Sequence, residues 1–239
     1  MSVDRDEYKR NDTKRGVIRY VILNIIFILL QAACLFLSAG NLAWGSAWVY
    51  LVVVTLNQAI VVLILLRNSP DLLGERARIG DDVKRWDRPF AGYMGLYGVW
   101  FILIVAGLDQ RFKWSDQISL WVQILAFVLM VLGSVLTIWA LSVNKYFSGH
   151  MRIQKERGHT VATAGPYQFV RHPGYLGAII FYLAAPLLLG SLWAYISVGV
   201  YVIVVLIRTS LEDRTLQEEL DGFQAYTQAV RYRLVPGIW

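Results

Sequence analysis

Long apolar runs dominate the chain, and most are too long and too uniformly hydrophobic for the half-buried helices of a soluble protein. The runs cover residues 17–39, 47–66, 90–107, 120–143, 174–189 and 191–207. Most approach the roughly 20 residues that a membrane-spanning helix needs. The pattern predicts an all-α integral membrane protein with about six transmembrane helices. The run 174–189 is short and is closely followed by Gly190 and Ser191, so it could instead be one arm of a tight hairpin, which leaves five spans as the alternative.

Composition and charge support a membrane protein and give it an orientation. The chain is 56% hydrophobic and 17% charged, and basic residues concentrate in the cytoplasmic loops of membrane proteins. The basic residues before the first span and between the second and third are Arg5, Lys9, Arg10, Lys14, Arg15, Arg19, Arg67, Arg76, Arg78, Lys84, Arg85 and Arg88. With six spans, only Arg111 and Lys113 of the 23 basic residues lie on the opposite side. This asymmetry favours six spans and predicts that both termini are cytoplasmic. Anionic lipid explains the net charge of +6 without nucleic acid.

The chain divides in character near residue 143. Residues 1–143 predict an N-terminal membrane scaffold of about four transmembrane helices, and 144–239 predict a region with a transmembrane helical hairpin and an amphipathic tail. The stripe that predicts the tail helix over 211–230 is Leu216, Leu220, Phe223, Tyr226 and Val230. This helix is expected to lie on the membrane surface or to pack back on the bundle, with a break at Asp221-Gly222.

A loop that enters the membrane carries the first candidate chemistry. Gly165-Pro166-Tyr167 is followed by Arg171-His172-Pro173-Gly174-Tyr175. Pro173 favours an extended His172 and suits the first turn of a helix. A helix N-terminus favours an anion, for example the carboxylate of an amino-acid cofactor. The alternative is that Arg171 and His172 only anchor the helix at the lipid headgroups.

The second candidate is a pair of ionisable residues at the cytoplasmic end of the last span. Arg208 and Glu212 are four apart and therefore share one face of a helix, and Arg208 directly follows an apolar run over 198–207. Ionisable residues at that depth tend to be functional. The alternative is a membrane anchor that forms an ordinary salt bridge within the helix.

Metal and nucleotide motifs are absent from the sequence. His150, His159 and His172 are nine and thirteen residues apart, and Cys34 is the only cysteine, so no metal site is predicted. The sequence has no phosphate-binding glycine-rich loop, no Gly-x-Gly-x-x-Gly and no Gly-x-Ser-x-Gly. Soluble-type nucleotide enzymes and serine hydrolases are therefore disfavoured.

The order of these motifs resembles the isoprenylcysteine carboxyl methyltransferase family over about residues 145–239. The resemblance rests on Gln154, Gly158-His159-Thr160-Val161, Gly165-Pro166-Tyr167, Arg171-His172-Pro173-Gly174-Tyr175, Arg208-x-x-x-Glu212-Asp213-x-x-Leu216, Tyr226 and Pro236. The related phospholipid methyltransferases share the cofactor-binding part and have an acidic pair near the position of Glu212. In this chain the second acid of that pair is Asp213.

The resemblance implies an S-adenosylmethionine pocket in the C-terminal region, with catalytic roles for Arg208 and Glu212. The residues implied to line it are Gln154, His159, Thr160, Val161, Ala162, Tyr167, His172, Pro173, Gly174, Tyr175 and Glu212. Arg208 would face the substrate. The resemblance further implies that the cofactor enters from the cytosol and that a lipophilic substrate arrives from the bilayer, with neither metal nor nucleic acid as a partner. The oligomeric state is left open.

Methyl transfer from a sulfonium to a carboxylate is an in-line displacement that needs no general base. Positioning in a dry pocket would supply the catalysis. Arg208 is expected to align the carboxylate by a two-pronged hydrogen bond, and Glu212 to hold a polar or cationic part of the cofactor. An amine acceptor would require a base, His172 or Glu212, and Arg208 would repel an ammonium group.

Three other functions stay open at this stage. A phospholipid N-methyltransferase would use the same cofactor on phosphatidylethanolamine. A membrane reductase of the sterol-reductase type would use NADPH, but basic residues for the extra phosphate are not clearly placed. A transporter or other non-catalytic membrane protein is the third, although the polar residues cluster in one half of the chain only.

Overall fold

The protein is a helical bundle, described by a computed structural model over residues 2–76 and 82–239, with side chains left out at 2–13, 71, 74 and 75. Its helices are α1 (Ser2–Ala39), α2 (Gly45–Asn68), α3 (Pro70–Arg76), α4 (Asp87–Gly92), α5 (Gly98–Phe112), α6 (Leu120–Val143), α7 (Pro173–Leu189), α8 (Ala194–Glu219) and α9 (Phe223–Ala229). No strand occurs in this part of the chain, which confirms the all-α prediction. Arg78 and the side chains of Arg5, Lys9 and Arg10 lie outside the described residues.

Within the described residues, five helical segments are long and apolar enough to cross a membrane. They are Lys14–Ala39, Gly45–Asn68, Asp87–Phe112, Leu120–Val143 and Ala194–Glu219. The third comprises α4, a π-helical segment over Tyr93–Tyr97, and α5. Large apolar side chains such as Leu37 and Trp121 are about four-fifths exposed on the outside of the bundle. Such a surface requires lipid around it, so the protein is integral to the membrane.

The sixth predicted span is a helix at the expected place, but it is shorter than the others. α7 has 17 residues, which corresponds to about 26 Å of helix against about 30 Å of bilayer hydrocarbon. Its first turn lies beside the end of α6. At its other end, the Ser191 hydroxyl donates a hydrogen bond to Asp109 near the end of α5. The helix thus runs between the two opposite ends of the bundle.

The hydrophobic core combines residues from both sides of residue 143. Its fully buried members include Leu35, Tyr50, Ile102 and Leu103 from the first part and Leu189, Ala194, Val198 and Val205 from the second. The most extensive packing between two helices is that of α6 with α7, where Gly133 faces Gly177. Small residues at such a crossing let two membrane helices approach closely.

The predicted start of the tail helix over 211–230 is wrong, because residue 211 lies inside α8. α8 continues without interruption from the membrane run to Glu219, because the polar residues of its last turns are held by tertiary contacts that periodicity alone does not show. The predicted break at Asp221-Gly222 is confirmed, with Gly222 at a φ of +84°. Phe223 and Tyr226 of α9 then pack against the bundle, which is the second of the two expected positions.

Candidate active site

A cavity of about 310 Å³ lies at the end of the bundle where α6 ends and α7 begins. Its walls come from the end of α6, the loop over 144–172, the start of α7, the last turns of α8, and α9. Ala91, Met94 and Gly95 of the third span complete one side. The volume is within the range of small-molecule sites, about 300–1,000 Å³.

The structure brings most of the sequence-predicted site residues together around this cavity. The ten that line it are His159, Thr160, Val161, Ala162, Tyr167, His172, Gly174, Tyr175, Arg208 and Glu212. The other two predicted residues, Gln154 and Pro173, do not line the cavity. Pro173 is the first residue of α7, where a proline needs no amide hydrogen.

Gln154 supports the loop from behind the cavity wall. It is 1% exposed. Its side-chain amide donates to the Tyr146 carbonyl at 2.9 Å and accepts a hydrogen bond from Arg157. Its main-chain N–H donates to Nδ1 of His159 at 3.3 Å. Gln154 therefore fixes the ring of His159, which also packs on the ring of Tyr146 with centroids 4.4 Å apart.

His159 presents a neutral imidazole to the cavity. Burial, together with the positive charges of Arg152 and Arg157, lowers the pKa of His159 from 6.5 to about 4. Because Nδ1 accepts the Gln154 N–H, the proton of the neutral ring is on Nε2. The ring can therefore donate one hydrogen bond to a ligand at neutral pH.

The lowered pKa of His159 predicts a specific acid sensitivity. The unfolded chain binds a proton at this residue below about pH 6.5, whereas the folded protein does so only near pH 4. The contribution of the neutral His159 to the free energy of unfolding is therefore complete above pH 6.5 and is lost as the pH falls to 4. We expect the unfolding temperature in detergent to fall less steeply over this interval in His159→Gln than in the wild type. Equal slopes in the two proteins would contradict the assignment.

Asp213 holds the start of α7 and the C-terminal tail in place. Its carboxylate accepts hydrogen bonds from Nε and Nη2 of Arg171 at 2.7 and 3.0 Å, and lies 3.0 Å from Nε2 of His172. Arg233 and Gln217 each donate to it at 2.9 Å. Arg171 and His172 are consequently buried, so the interpretation of these two residues as headgroup anchors is wrong.

Glu212 is the carboxylate that faces the cavity. The hydroxyl of Tyr175 donates to Oε2 of Glu212 at 2.5 Å, and Nδ1 of His172 lies 3.8 Å from Oε1. The Glu212 side chain is 21% exposed, in contrast to the fully buried Asp213 beside it. An acid surrounded by aromatic rings in a concave site is suited to a cationic ligand.

Arg208 pairs with an aspartate of the third span. Nε of Arg208 donates to Oδ1 of Asp87 at 2.7 Å, and Nη2 donates to Oδ2 at 3.2 Å and to the Gly149 carbonyl at 2.9 Å. The guanidinium also lies over the ring of Tyr175, with Cζ 5.5 Å from the centroid. The alternative of a simple Arg208–Glu212 helix pair is therefore wrong, since Asp87 is the salt-bridge partner.

This pairing changes what Arg208 can offer a substrate. The parallel Nε and Nη2 donors, which suit a carboxylate best, are engaged by Asp87. Among the residues that the structure describes, Nη1 contacts the Met94 sulfur at 3.8 Å. Asp87 thus occupies the Nε and Nη2 pair in this arrangement, which leaves Nη1 as the donor available to a ligand in the cavity.

Comparison with protein families identifies the segment that builds most of this site. Residues 124–219 match the isoprenylcysteine carboxyl methyltransferase (ICMT) family. We call this stretch the ICMT segment. It starts in the second turn of α6 and ends with α8, so it includes the whole loop over 144–172 and covers less than half of the chain. No curated protein matches the chain.

The match to the ICMT family supports a membrane methyltransferase and favours this activity over a reductase or a non-catalytic protein. The ICMT segment includes most of α6, which the sequence resemblance left out. Tyr226 and Pro236, which formed part of that resemblance, lie beyond the segment. Ten of the twelve residues implied by the resemblance line the cavity, and both of the others lie within the ICMT segment.

Several residues of the site were missed by sequence reasoning. Asp87 is the most important of them. One signal in the sequence could have identified it, namely an acidic residue just before the third apolar run, where it could pair with a buried arginine such as Arg208. The aromatic residues missed in the wall are Tyr146, Phe147, Tyr201 and Phe223. Within the described ranges, no group of three or more metal-ligating side chains is close enough to hold an ion.

Proposed function

We propose that this protein transfers a methyl group from S-adenosylmethionine to the carboxylate of an isoprenylcysteine-like or other lipophilic substrate. One observation carries the proposal: an acid, Glu212, and an arginine, Arg208, face one cavity from adjacent turns of α8 inside the ICMT segment. The acid is matched to a cationic cofactor and the arginine to an anionic acceptor.

The chemistry of the cavity fits S-adenosylmethionine. The cofactor carries a sulfonium, an ammonium group and an adenine ring, and when bound it supplies an activated methyl group. Glu212 would hold the cationic part, while Tyr167 and Phe223 offer apolar faces to the adenosine. Tyr167 is fixed for this role, since its hydroxyl accepts from Asn144 at 3.0 Å and its carbonyl accepts from Tyr226 at 2.6 Å.

Arg208 would orient the acceptor rather than activate it. A carboxylate is already ionised at neutral pH, so its reaction needs alignment and exclusion of water. Nη1 of Arg208 can donate a single charge-assisted hydrogen bond to it. The cavity also reaches Gly95, an exposed residue of the third span, which would give an acceptor dissolved in the bilayer a route to the site.

The cavity end of the bundle is proposed to face the cytoplasm. Arg76, Arg152 and Arg171 line the cavity itself, and Arg111 lies in the last turn of α5, at the opposite end of the third span. Basic residues are enriched on the cytoplasmic side of membrane proteins. This orientation would give the cofactor direct access from the cytosol.

A phospholipid amine is a second candidate acceptor, and one observation favours it. Asp87 neutralises the charge of Arg208, so the expected repulsion of an ammonium group is weaker than the sequence indicated. Methylation of an amine would need a base, and His172 with Glu212 3.8 Å away is the pair that could take the proton. A rate that rises with pH would distinguish this reaction from carboxyl methylation.

The direct test is calorimetric binding of S-adenosylmethionine to the detergent-solubilised protein. We expect Glu212→Gln to weaken binding about tenfold or more, because a charge-assisted contact is lost. Glu218→Gln is the matched control, since Glu218 is on the same helix but exposed and paired only with Arg214. Methyl transfer to prenylated cysteine, to fatty acid and to phosphatidylethanolamine then identifies the acceptor. Failure to bind S-adenosylmethionine, together with binding of NADPH, would overturn the proposal.

A further inference from the structure

Asp87 connects three parts of the site although it lies outside the ICMT segment. Its side chain is fully buried. Besides the two hydrogen bonds from Arg208, Oδ2 accepts the main-chain N–H of Met151 at 2.7 Å. One carboxylate therefore contacts α8 and the loop that forms the cavity wall, from the start of the third span.

The local sequence fixes Asp87 in this position. Asp87 is in the first turn of α4, where a negative charge is favoured by the helix dipole. Its N–H donates to the Lys84 carbonyl at 2.9 Å, and the Lys84 N–H donates to the Met151 carbonyl at 3.0 Å. The turn before α4 and the loop at Met151 are thus joined on both sides of the carboxylate.

The partner of Asp87 has no comparable second anchor. Arg208 is 6% exposed, and its other contacts are the Gly149 carbonyl, the Tyr175 ring and the Met94 sulfur. Because a guanidinium with Nε and Nη2 fixed cannot rotate, the direction of Nη1 follows from the position of Asp87.

We propose that Asp87 is a positioning residue that orients Arg208 so that Nη1 faces the methyl acceptor. The inference rests on the proposed function, in which Arg208 contacts the acceptor. It assigns a role in acceptor alignment to the N-terminal part of the chain. The cofactor end of the cavity, around Glu212 and His159, is held by other contacts and should not depend on Asp87.

The first test compares Asp87→Asn with Asp109→Asn in the full-length protein in detergent. Asp109 is a matched control, because it is a buried acid in the same span but lies at the opposite end of the bundle. For Asp87→Asn we expect kcat/KM for the acceptor to fall at least tenfold, with the Kd for S-adenosylmethionine within about twofold of wild type. For Asp109→Asn we expect kcat/KM within about twofold of wild type. Unchanged acceptor kinetics in Asp87→Asn would overturn the inference.

The second test asks whether Asp87 acts through Arg208. We expect Asp87→Asn to lower kcat/KM less than twofold further in an Arg208→Gln background, because the group that it orients is already gone. The double variant buries no unpaired charge, so its unfolding midpoint, measured beside those of the two single variants, separates a folding defect from a loss of orientation. If Asp87→Asn lowered kcat/KM in the Arg208→Gln background as much as it does in the wild type, the positioning role would be overturned. A wild type that binds no S-adenosylmethionine would instead overturn the proposed function, independently of any Asp87 variant.

Discussion

Replacement of Asp213 by alanine is expected to destabilise the protein by about 3–5 kcal/mol, because it leaves buried charged groups without their partner. Arg171 loses both hydrogen bonds to the carboxylate, and Arg233 and His172 lose one contact each. Arg171 would keep only its bonds to the carbonyls of Val230 and Arg231. No water-accessible position replaces the lost carboxylate, since Asp213 is fully buried.

The measurement is the unfolding midpoint of purified protein in detergent, with Glu218→Ala as the control. Glu218 is five residues further along the same helix and forms an exposed pair with Arg214. Exposed helix pairs contribute about 0.5 kcal/mol or less, so the control should remain close to wild type. Equal stability of the Asp213 and Glu218 variants would show that the Asp213 network does not hold α7 and the tail.

Glu212 and Asp213 show why neighbouring acids in one motif can have different roles. Successive residues of an α-helix point about 100° apart, so one carboxylate faces the cavity while the next faces the interior of the bundle. Glu212 is therefore available to a ligand, whereas Asp213 is saturated by protein donors. From the sequence, the two residues could be described only as one acidic pair, because residue type alone does not show which face of the helix each side chain is on.

The membrane fold was largely predictable from the sequence, because the apolar runs are long and bounded by charged loops. The confirmed spans differ from the predictions mainly at their ends. The third span begins at Asp87, three residues earlier than predicted, and the last continues to Glu219. Both extensions contain charged residues that a hydropathy pattern assigns to loops. Tertiary ion pairs, Asp87 with Arg208 and Asp213 with Arg171, keep these residues in helices.

The candidate site was predictable only where its residues are close in sequence. The loop motifs from His159 to Tyr175 follow one another along the cavity wall. Asp87 and Arg208 are 121 positions apart, and no local pattern relates them. Gln154 was assigned to the pocket by resemblance, but its burial and its bonds to Tyr146 place it behind the wall. Long-range pairing and the direction of a side chain both require the fold.

Replacement of Gly177 by alanine is expected to separate α6 from α7. A Cβ atom on Gly177 would lie 2.6 Å from the Gly133 carbonyl oxygen and would collide with the hydroxyl of Thr137. The obstacle includes backbone of the facing helix, so a rotamer change cannot relieve it. Overpacking of this kind costs about 1–3 kcal/mol, and membrane helices depend on close backbone approach because they gain little from hydrophobic burial.

Separation of α6 from α7 should also displace residues at the cofactor end of the cavity. Gly174 and Tyr175, one turn before Gly177, line the site, and the Thr137 hydroxyl lies 3.4 Å from the Gly174 carbonyl. We therefore expect Gly177→Ala to lower both the unfolding midpoint and the affinity for S-adenosylmethionine. Gly199→Ala is the control, because a Cβ atom there meets nothing within 4 Å and alanine favours a helix over glycine. If Gly177→Ala behaved like Gly199→Ala, close contact between α6 and α7 would not be what places Tyr175 opposite Glu212.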